Sequence, residues 1–335
     1  MRTYIIAEVG PNHNGSVDVA LKMIEGLSKT GVDAVKFQLC NPEDVYSLDA
    51  FMPSYQRQNE TSTSPLEMSK KYQLSQGDHV ALYRACRDKK LDYVCTAFDL
   101  ESLMFLDQNM DLPFFKVASG EIFSLDMLDY ISDQKKPVVM SCGMATYSEI
   151  ELAIRILNRK SKKDITLLHC VSSYPTRYTN VNLRVIAEMI NRYACSIGYS
   201  DHTIGNECAL AAVAMGAVMI EKHVTLDREL SGPDHKASST IEEYGELVTS
   251  IRNIEMAMGG KEKKFSDDEI EIKKAARKSI VSTRDISSGE MISEEHLCYK
   301  RPGIGFLPVE KDTIIGKRAK ADIAGNTVIS KEQIE

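Results

Sequence analysis

Apolar runs recur at 4–9, 33–38, 92–97, 113–118, 137–141, 165–170, 195–199 and 217–222, and as a set they are rich in Val, Ile and Phe. Between them, apolar residues return every three or four positions on otherwise polar stretches. That alternation of a strand signal with a helix signal predicts successive βα units. In the first unit Ser16 is an N-cap, Val19, Ala20, Met23, Ile24 and Leu27 share one face, and Gly31 ends the helix. Thr146 with Glu149, and Thr240 with Glu243, have capping-box spacing, the second ahead of a helix reaching Met258. Further helices are predicted near 77–90, 100–109, 123–133, 180–193 and 204–215. Eight units in about 260 residues is the count and length of a (β/α)8 TIM barrel. A doubly wound open sheet is the competing architecture, and no Gly-rich dinucleotide fingerprint supports it.

The pattern breaks twice. Residues 41–75 are long, polar and carry Pro42, Pro53 and Pro65, which marks a binding loop or lid on a barrel. After Gly259-Gly260 the chain turns charged and then becomes a series of short strands and turns, such as Ser279–Ser282, Ser288-Gly289 and Ala324-Gly325-Asn326. The expected organisation is a catalytic barrel over 1–260, a linker over 261–276, and a small, mostly-β domain over 277–335 that needs a neighbour to pack against.

Composition narrows the partners. The chain has 335 residues, 43% apolar and 27% charged, which is ordinary for a globular protein. A net charge of −7 leaves no basic footprint for nucleic acid, so an anionic substrate must meet a local cluster of Lys and Arg. The N-terminus lacks a signal-peptide layout, and no apolar run approaches the roughly 18 residues of a membrane span. Eight cysteines stand singly, without a CxxC pair, as reduced thiols do; the expectation is a cytoplasmic protein.

Barrel enzymes build their sites from the C-terminal ends of strands. Here those ends hold Glu8 and Asn12-His13, then Lys36 and Gln38, Thr96, Lys116 with Ser119 and Glu121, and Ser141. His169, Ser172 and Tyr174 follow, then Ser200 with His202, and Glu221 with His223. A single strand lysine can snorkel to the rim. Two inward lysines, Lys36 and Lys116, repel unless an anion sits between them, which points to phosphate or carboxylate binding beside the hydroxyls of Ser119 and Ser141. His202 and His223 read either as hydrogen-bonded core imidazoles or as metal ligands. Two protein nitrogens leave positions open for water and substrate, which favours exchangeable Mn²⁺ or Mg²⁺ over structural zinc. His13 is a third ligand or a prop for the Glu8 loop. No Gly-x-Ser-x-Gly elbow, P-loop or activated cysteine is evident.

In order and spacing, several stretches resemble the sialic acid synthase family. They are Ala7–Gly15 (AEVGPNHNG), Val35–Gln38 (VKFQ), Phe115–Glu121 (FKVASGE) and Met140–Met144 (MSCGM), then Gly198–Thr203 (GYSDHT), Glu221–Asp227 (EKHVTLD) and Ser231–His235 (SGPDH). The tail, with Lys300-Arg301-Pro302-Gly303, resembles the family's antifreeze-like (SAF) domain. The resemblance spans the whole chain. It implies a barrel plus SAF domain in a domain-swapped homodimer, and condensation of phosphoenolpyruvate with an N-acetylated amino-hexose. It implies that His202 and His223 hold the divalent metal, and that Lys36, Thr96, Lys116, Ser119, Ser141 and Ser200 bind phosphoenolpyruvate. Gln38, Glu121, Tyr174 and Asp234, with Ser172 beside them, would face the sugar, and Arg301 its N-acetyl group. Glu8 and Glu221 would handle water and protons, and Lys116 would assist phosphate departure.

Departures from the family pattern include Ala97, Cys142, Ser172 and Val224, none of which touches the metal histidines or the lysines. The stretch from Ser231 to Ser238 is closer to the sialic and legionaminic branches than to the pseudaminic one. The leading expectation is N-acetylmannosamine as substrate and N-acetylneuraminate as product. The alternative is a legionaminate synthase using 2,4-diacetamido-2,4,6-trideoxymannose.

Overall fold

Eight parallel strands close on themselves: β1 (Tyr4–Glu8), β2 (Ala34–Leu39), β3 (Asp92–Ala97), β4 (Phe115–Val117), β5 (Val138–Ser141), β6 (Ile165–Cys170), β7 (Ser196–Asp201) and β8 (Met219–Thr225). Each pairs with the next, and β8 returns to β1, so that Glu8 lies opposite both Lys36 and His223. The computed structural model describes residues 2–59 and 61–335. It divides into a unit ending at Gly259 and a second from Gly260 to Glu335.

Around the barrel run α1 (Val17–Leu27), the short α2 (Pro42–Val45), α3 (Ser54–Asn59) and α4 (Pro65–Tyr72), then α5 (Gln76–Asp88), α6 (Leu100–Asn109), α7 (Leu125–Asp133) and α8 (Tyr147–Leu157). They continue with α9 (Tyr178–Val181), α10 (Arg184–Arg192), α11 (Glu207–Ala214) and α12 (Ile241–Met258). Ser16 caps α1 as its side chain predicts, and the Thr146/Glu149 and Thr240/Glu243 capping boxes are both formed. Two expectations need refinement. The helix predicted over 180–193 is two helices, because Asn182 adopts a left-handed φ of 52° between them. The 41–75 insertion is not an open loop but holds α2, α3 and α4, with Ser64 capping α4 and Pro65 at its first turn.

The period-two alternation of the strands separates two apolar layers. Ile5, Ala7, Val9, Val35 and Phe37 face outward into the core shared with Leu27, Leu82 and Leu106 of the helices. Ile6, Ala34, Val94, Phe114, Val139, Leu168 and Met219 face inward and fill the barrel. Each large side chain buried this way contributes roughly 1.5–3 kcal/mol relative to exposure. Gly198 supplies the inward position of β7; a Cβ there would stand 2.6 Å from Leu168 Cδ2 and from the Met219 carbonyl, so the neighbouring side chains occupy its space. Among the described residues no helix is long and apolar enough to cross a membrane.

A short β9 (Ser239–Thr240) pairs with the end of β8. The second unit begins with α13 (Asp267–Ala276), inside the stretch read as a linker, and continues with an antiparallel pair, β10 (Ser279–Ser282) and β11 (Leu297–Lys300). Its core is Ile280, Ile286, Ile292, Ile314, Ile323, Ile329 and Ile334 with Ala319, so a narrow set of β-branched side chains organises a unit with little regular structure.

Candidate active site

Two residues beyond each inward core position, toward the C-terminal end of the strand, the side chain faces the same way but the chemistry changes. Ile6 gives way to Glu8, Ala34 to Lys36, Val94 to Thr96 and Phe114 to Lys116. On the other half Val139 gives way to Ser141, Leu168 to Cys170, Gly198 to Ser200 and Met219 to Glu221. Two residues further come Gln38, Ser172, His202 and His223. The apolar barrel therefore carries a polar floor, and above it a cavity of about 580 Å³ opens at the C-terminal ends of the strands.

The floor is a charge quartet sealed from solvent. Lys36 Nζ lies 2.8 Å from Glu8 Oε2 and 3.8 Å from Glu221 Oε2, and Lys116 Nζ lies 3.7 Å from that same Glu221 oxygen. Hydroxyls complete it: Lys36 donates to Thr96 Oγ1 at 3.3 Å, Lys116 to Ser141 Oγ at 2.8 Å, and Ser200 to Glu221 Oε1 at 3.0 Å. Gln38 Nε2 donates to Glu8 Oε1 at 2.7 Å. The two carboxylates diverge in acidity. Burial pushes Glu8 above the ordinary carboxyl range despite Lys36. Burial pushes Glu221 the same way, but Lys116, Lys36 and Ser200 together hold it below that range. Burial likewise lowers Lys116, while Glu221 and Glu8 outweigh burial at Lys36 and raise it. The floor thus sets two carboxyl groups of divergent acidity against two lysine amines.

The wall above is built by loops. Ser119 Oγ accepts from Gly143 N–H at 2.9 Å, and Gly143 has no side chain because a Cβ would stand 2.8 Å from that oxygen. Asp234 sits 3.6 Å from His223 Nδ1, and burial raises its carboxyl to about 7. Its loop is held from the first strand's end: Asn12 Nδ2 donates to Val224 O and Ser238 Oγ, and Ser238 Oγ donates to the Asp234 carbonyl. His235 bridges Thr225 Oγ1 at 2.7 Å and Asn14 Oδ1 at 3.1 Å. Tyr174 lies over His202, with ring centroids 4.2 Å apart, and edge-on to His223 at 5.6 Å.

Among the described residues no three His, Cys, Asp or Glu side chains gather into a metal-holding cluster. His202 and His223 still suit a metal that takes its other ligands from water and substrate. Their rings are 5.3 Å apart, and His223 Nδ1 is buried without a hydrogen-bond partner. Burial holds His223 well below its ordinary value, in the neutral form a metal needs. His202 Nδ1 is 2.8 Å from the Val171 carbonyl, which fixes the ring and leaves Nε2 for a ligand. Its pKa is raised to about 9: burial opposes the rise, and Cys170, 3.8 Å away, with the Val171 carbonyl overcomes burial. A metal there would displace that proton, as ligand binding does.

Of the residues to which the family resemblance gives roles, all but two line this cavity, with His13 beside them. Glu121 does not: the Ser119–Glu121 turn rotates it into an adjoining acidic hollow with Asp44, Asp99, Glu101 and Asp126, where it accepts from Ser124. Arg301 belongs to the second unit, exposed just after β11. His169 faces the helices and bonds to the Val181 carbonyl. The lining also includes residues not put forward as site candidates, Cys170 and Tyr55 among them. Cys170 occupies the floor row, where the two-residue step from Leu168 is its signal. Tyr55 of α3 stacks on Tyr174 at 5.2 Å, and nothing periodic in the insertion foretells it.

Fold and floor together define a (β/α)8-barrel enzyme whose cavity sets two buried lysine amines beneath a pair of imidazoles. The NeuB family model matches residues 23–263 and the SAF domain model matches 277–335, and the chain belongs to the NeuB family. It is 40% identical to the N,N'-diacetyllegionaminic acid synthase of Campylobacter jejuni over 95% of this chain and 96% of that protein. It is 37% identical to the N,N'-diacetyllegionaminic acid synthase of Legionella pneumophila, over 100% and 95%. The crystal structure of the N-acetylneuraminic acid synthetase of Leptospira borgpetersenii, solved with citrate, superposes with a TM-score of 0.73 at 33% identity, covering 81% of this chain and 90% of that one.

Proposed function

We propose that this protein condenses phosphoenolpyruvate with the open-chain aldehyde of an N-acetylated amino-hexose and water, giving a nine-carbon 2-keto sugar acid and inorganic phosphate. The observation that carries the reading is the floor: two buried ammonium groups, flanked by Thr96, Ser141 and Ser200, directly beneath two imidazoles. Lys36 and Lys116 bind the phosphate and carboxylate, with Ser119 contributing a hydroxyl. Gln38, Ser172, Tyr174 and Asp234 line the sugar's part of the cavity. His202 and His223 would hold a divalent ion, Mn²⁺ or Mg²⁺, whose Lewis acidity supplies polarisation of the aldehyde when bound.

The methylene carbon of phosphoenolpyruvate forms a bond to the aldehyde carbon, whose oxygen takes a proton; the carbon bearing the phosphate becomes cationic. Water adds to that carbon and passes its proton to one of the two floor carboxylates, Glu221 or Glu8. The C–O bond to phosphate then breaks, and Lys116 stabilises the departing charge. The cavity holds the two reactants face to face, which converts a bimolecular step into a local one. Arg301, delivered by the partner subunit of a domain-swapped homodimer, completes the sugar site at its N-acetyl group.

For the sugar, N-acetylmannosamine is the first candidate. The identities of 37% and 40% to the two legionaminic acid synthases favour 2,4-diacetamido-2,4,6-trideoxymannose as the second. Phosphate release from phosphoenolpyruvate labelled in its bridging oxygen, measured with each sugar, tests both levels. Label in the phosphate and sugar-dependent turnover are expected. Label retained in the keto acid would sink the C–O cleavage route, and turnover without sugar would sink the condensation.

A further inference from the structure

Behind the histidine pair, on the outward face of the same two strands, lies an ion pair with no contact to the cavity. Lys222 Nζ is 2.7 Å from Asp201 Oδ2, and both side chains are sealed, at 1% and 0% exposure. Asp201 and Lys222 are cross-strand partners of β7 and β8, and each immediately precedes a histidine, His202 or His223. Asp201 Oδ1 accepts from Thr203 N–H at 2.9 Å, Thr203 Oγ1 at 2.8 Å and Tyr199 OH at 3.1 Å. Lys222 Nζ also donates to the Thr203 carbonyl at 2.6 Å.

Most of these bonds gather on Thr203, whose N–H, hydroxyl and carbonyl are all taken by the pair. The His202–Thr203 unit has its N–H taken by Asp201 and its carbonyl taken by Thr176 N–H at 2.8 Å. With Nδ1 on the Val171 carbonyl, backbone and ring of His202 are both fixed. Beside the other histidine, the Lys222 carbonyl accepts from Tyr244 OH of α12 at 3.3 Å, and that hydroxyl also donates to Ile6 O at 2.6 Å. Stability alone does not account for the pair, since apolar side chains of like size commonly replace a buried ion pair at no loss of stability. What apolar side chains do not replace is register: a one-residue slip of β7 against β8 would turn the His202 imidazole out of the cavity while β8, paired on its other side with β1, kept His223 in it.

We propose that Asp201 and Lys222 are positioning residues that set the spacing of His202 and His223 for a divalent ion, an inference that rests on the metal-binding reading of those histidines. The test compares the full-length protein with the double variant Asp201→Leu/Lys222→Met and with the amide variant Asp201→Asn/Lys222→Met, which keeps a side-chain oxygen for Thr203 and leaves no unpaired ammonium. Mn²⁺ binding is measured by electron paramagnetic resonance, with His202→Ala as the control. Crystal structures give the imidazole separation, and thermal melts report the fold. The double variant should melt no lower than the parent, bind Mn²⁺ roughly 10- to 100-fold more weakly, and depart from the 5.3 Å ring separation. The amide variant should shift affinity the same way by a smaller factor, and it decides the matter should the double variant not fold. Parental Mn²⁺ affinity in a folded variant overturns the proposal. Should the parent itself bind no Mn²⁺, the metal reading fails, and ring separation alone decides: unchanged spacing overturns the positioning role, altered spacing sustains it.

Discussion

At the scale of single residues, burial sets chemistry throughout the barrel, and not only in its cavity. His79 of α5 is fully buried, stacks edge-on against Phe37 and bonds through Nδ1 to Tyr93 OH at 2.6 Å. Its Nε2 has no partner, and burial holds its pKa at about 4. In the unfolded chain an imidazole titrates near 6.5. Between those values the unfolded state binds a proton that the folded state does not, so stability is complete above about 6.5 and is lost as the pH falls toward 4. The shift corresponds to about 3 kcal/mol at the acid end. Urea unfolding from pH 7 to pH 4 should show this decline, and a His79→Leu/Tyr93→Phe variant should show a shallower one. An unchanged slope in the variant would place the acid sensitivity elsewhere. The quartet follows the same physics with a different outcome, because four opposed charges compensate one another where His79 has only a hydroxyl.

Elements differ in how much of them the chain announces. The strands, the caps at Ser16, Thr146 and Thr240, and the inward lysines were legible because period, capping chemistry and strand ends are local properties. The floor was legible for the same reason, since a fixed two-residue step carries the core row into the site. The insertion was not. Its three short helices follow no long period, and Tyr55 reaches Tyr174 by tertiary placement alone. Glu121 misled for a related reason, because a single tight turn after β4 decides which of two neighbouring residues faces the cavity. The stack running from Tyr55 through Tyr174 to His202 makes the insertion one wall of the cavity, on the side where the proposed sugar would lie. Tyr55→Ala should raise the sugar KM by about 3- to 10-fold, the worth of one aromatic pair, and leave the phosphoenolpyruvate KM near its parental value. Equal effects on both substrates would remove the insertion from sugar recognition.

For the whole molecule, the question is which chain supplies the last contact to the sugar. The quartet and both imidazoles come from the first unit, whereas Arg301 stands exposed in the second, whose isoleucine core is its own. An arginine acting within its own subunit and one acting across a dimer predict different results when two inactive proteins are mixed. On the proposed reading, His202→Ala removes the barrel's contribution to a site and Arg301→Ala removes the arginine's. If Arg301 acts across the dimer, a mixed dimer contains one site with an intact barrel and an intact arginine. Random reassociation of equal amounts should then restore roughly a quarter of parental activity, because half of the dimers are mixed and one of their two sites is whole. If Arg301 serves its own barrel, every site in the mixture keeps one lesion and no activity returns. Recovery on mixing, with neither variant active alone, would establish that the enzyme's unit of function is two chains; its absence would confine each site to one.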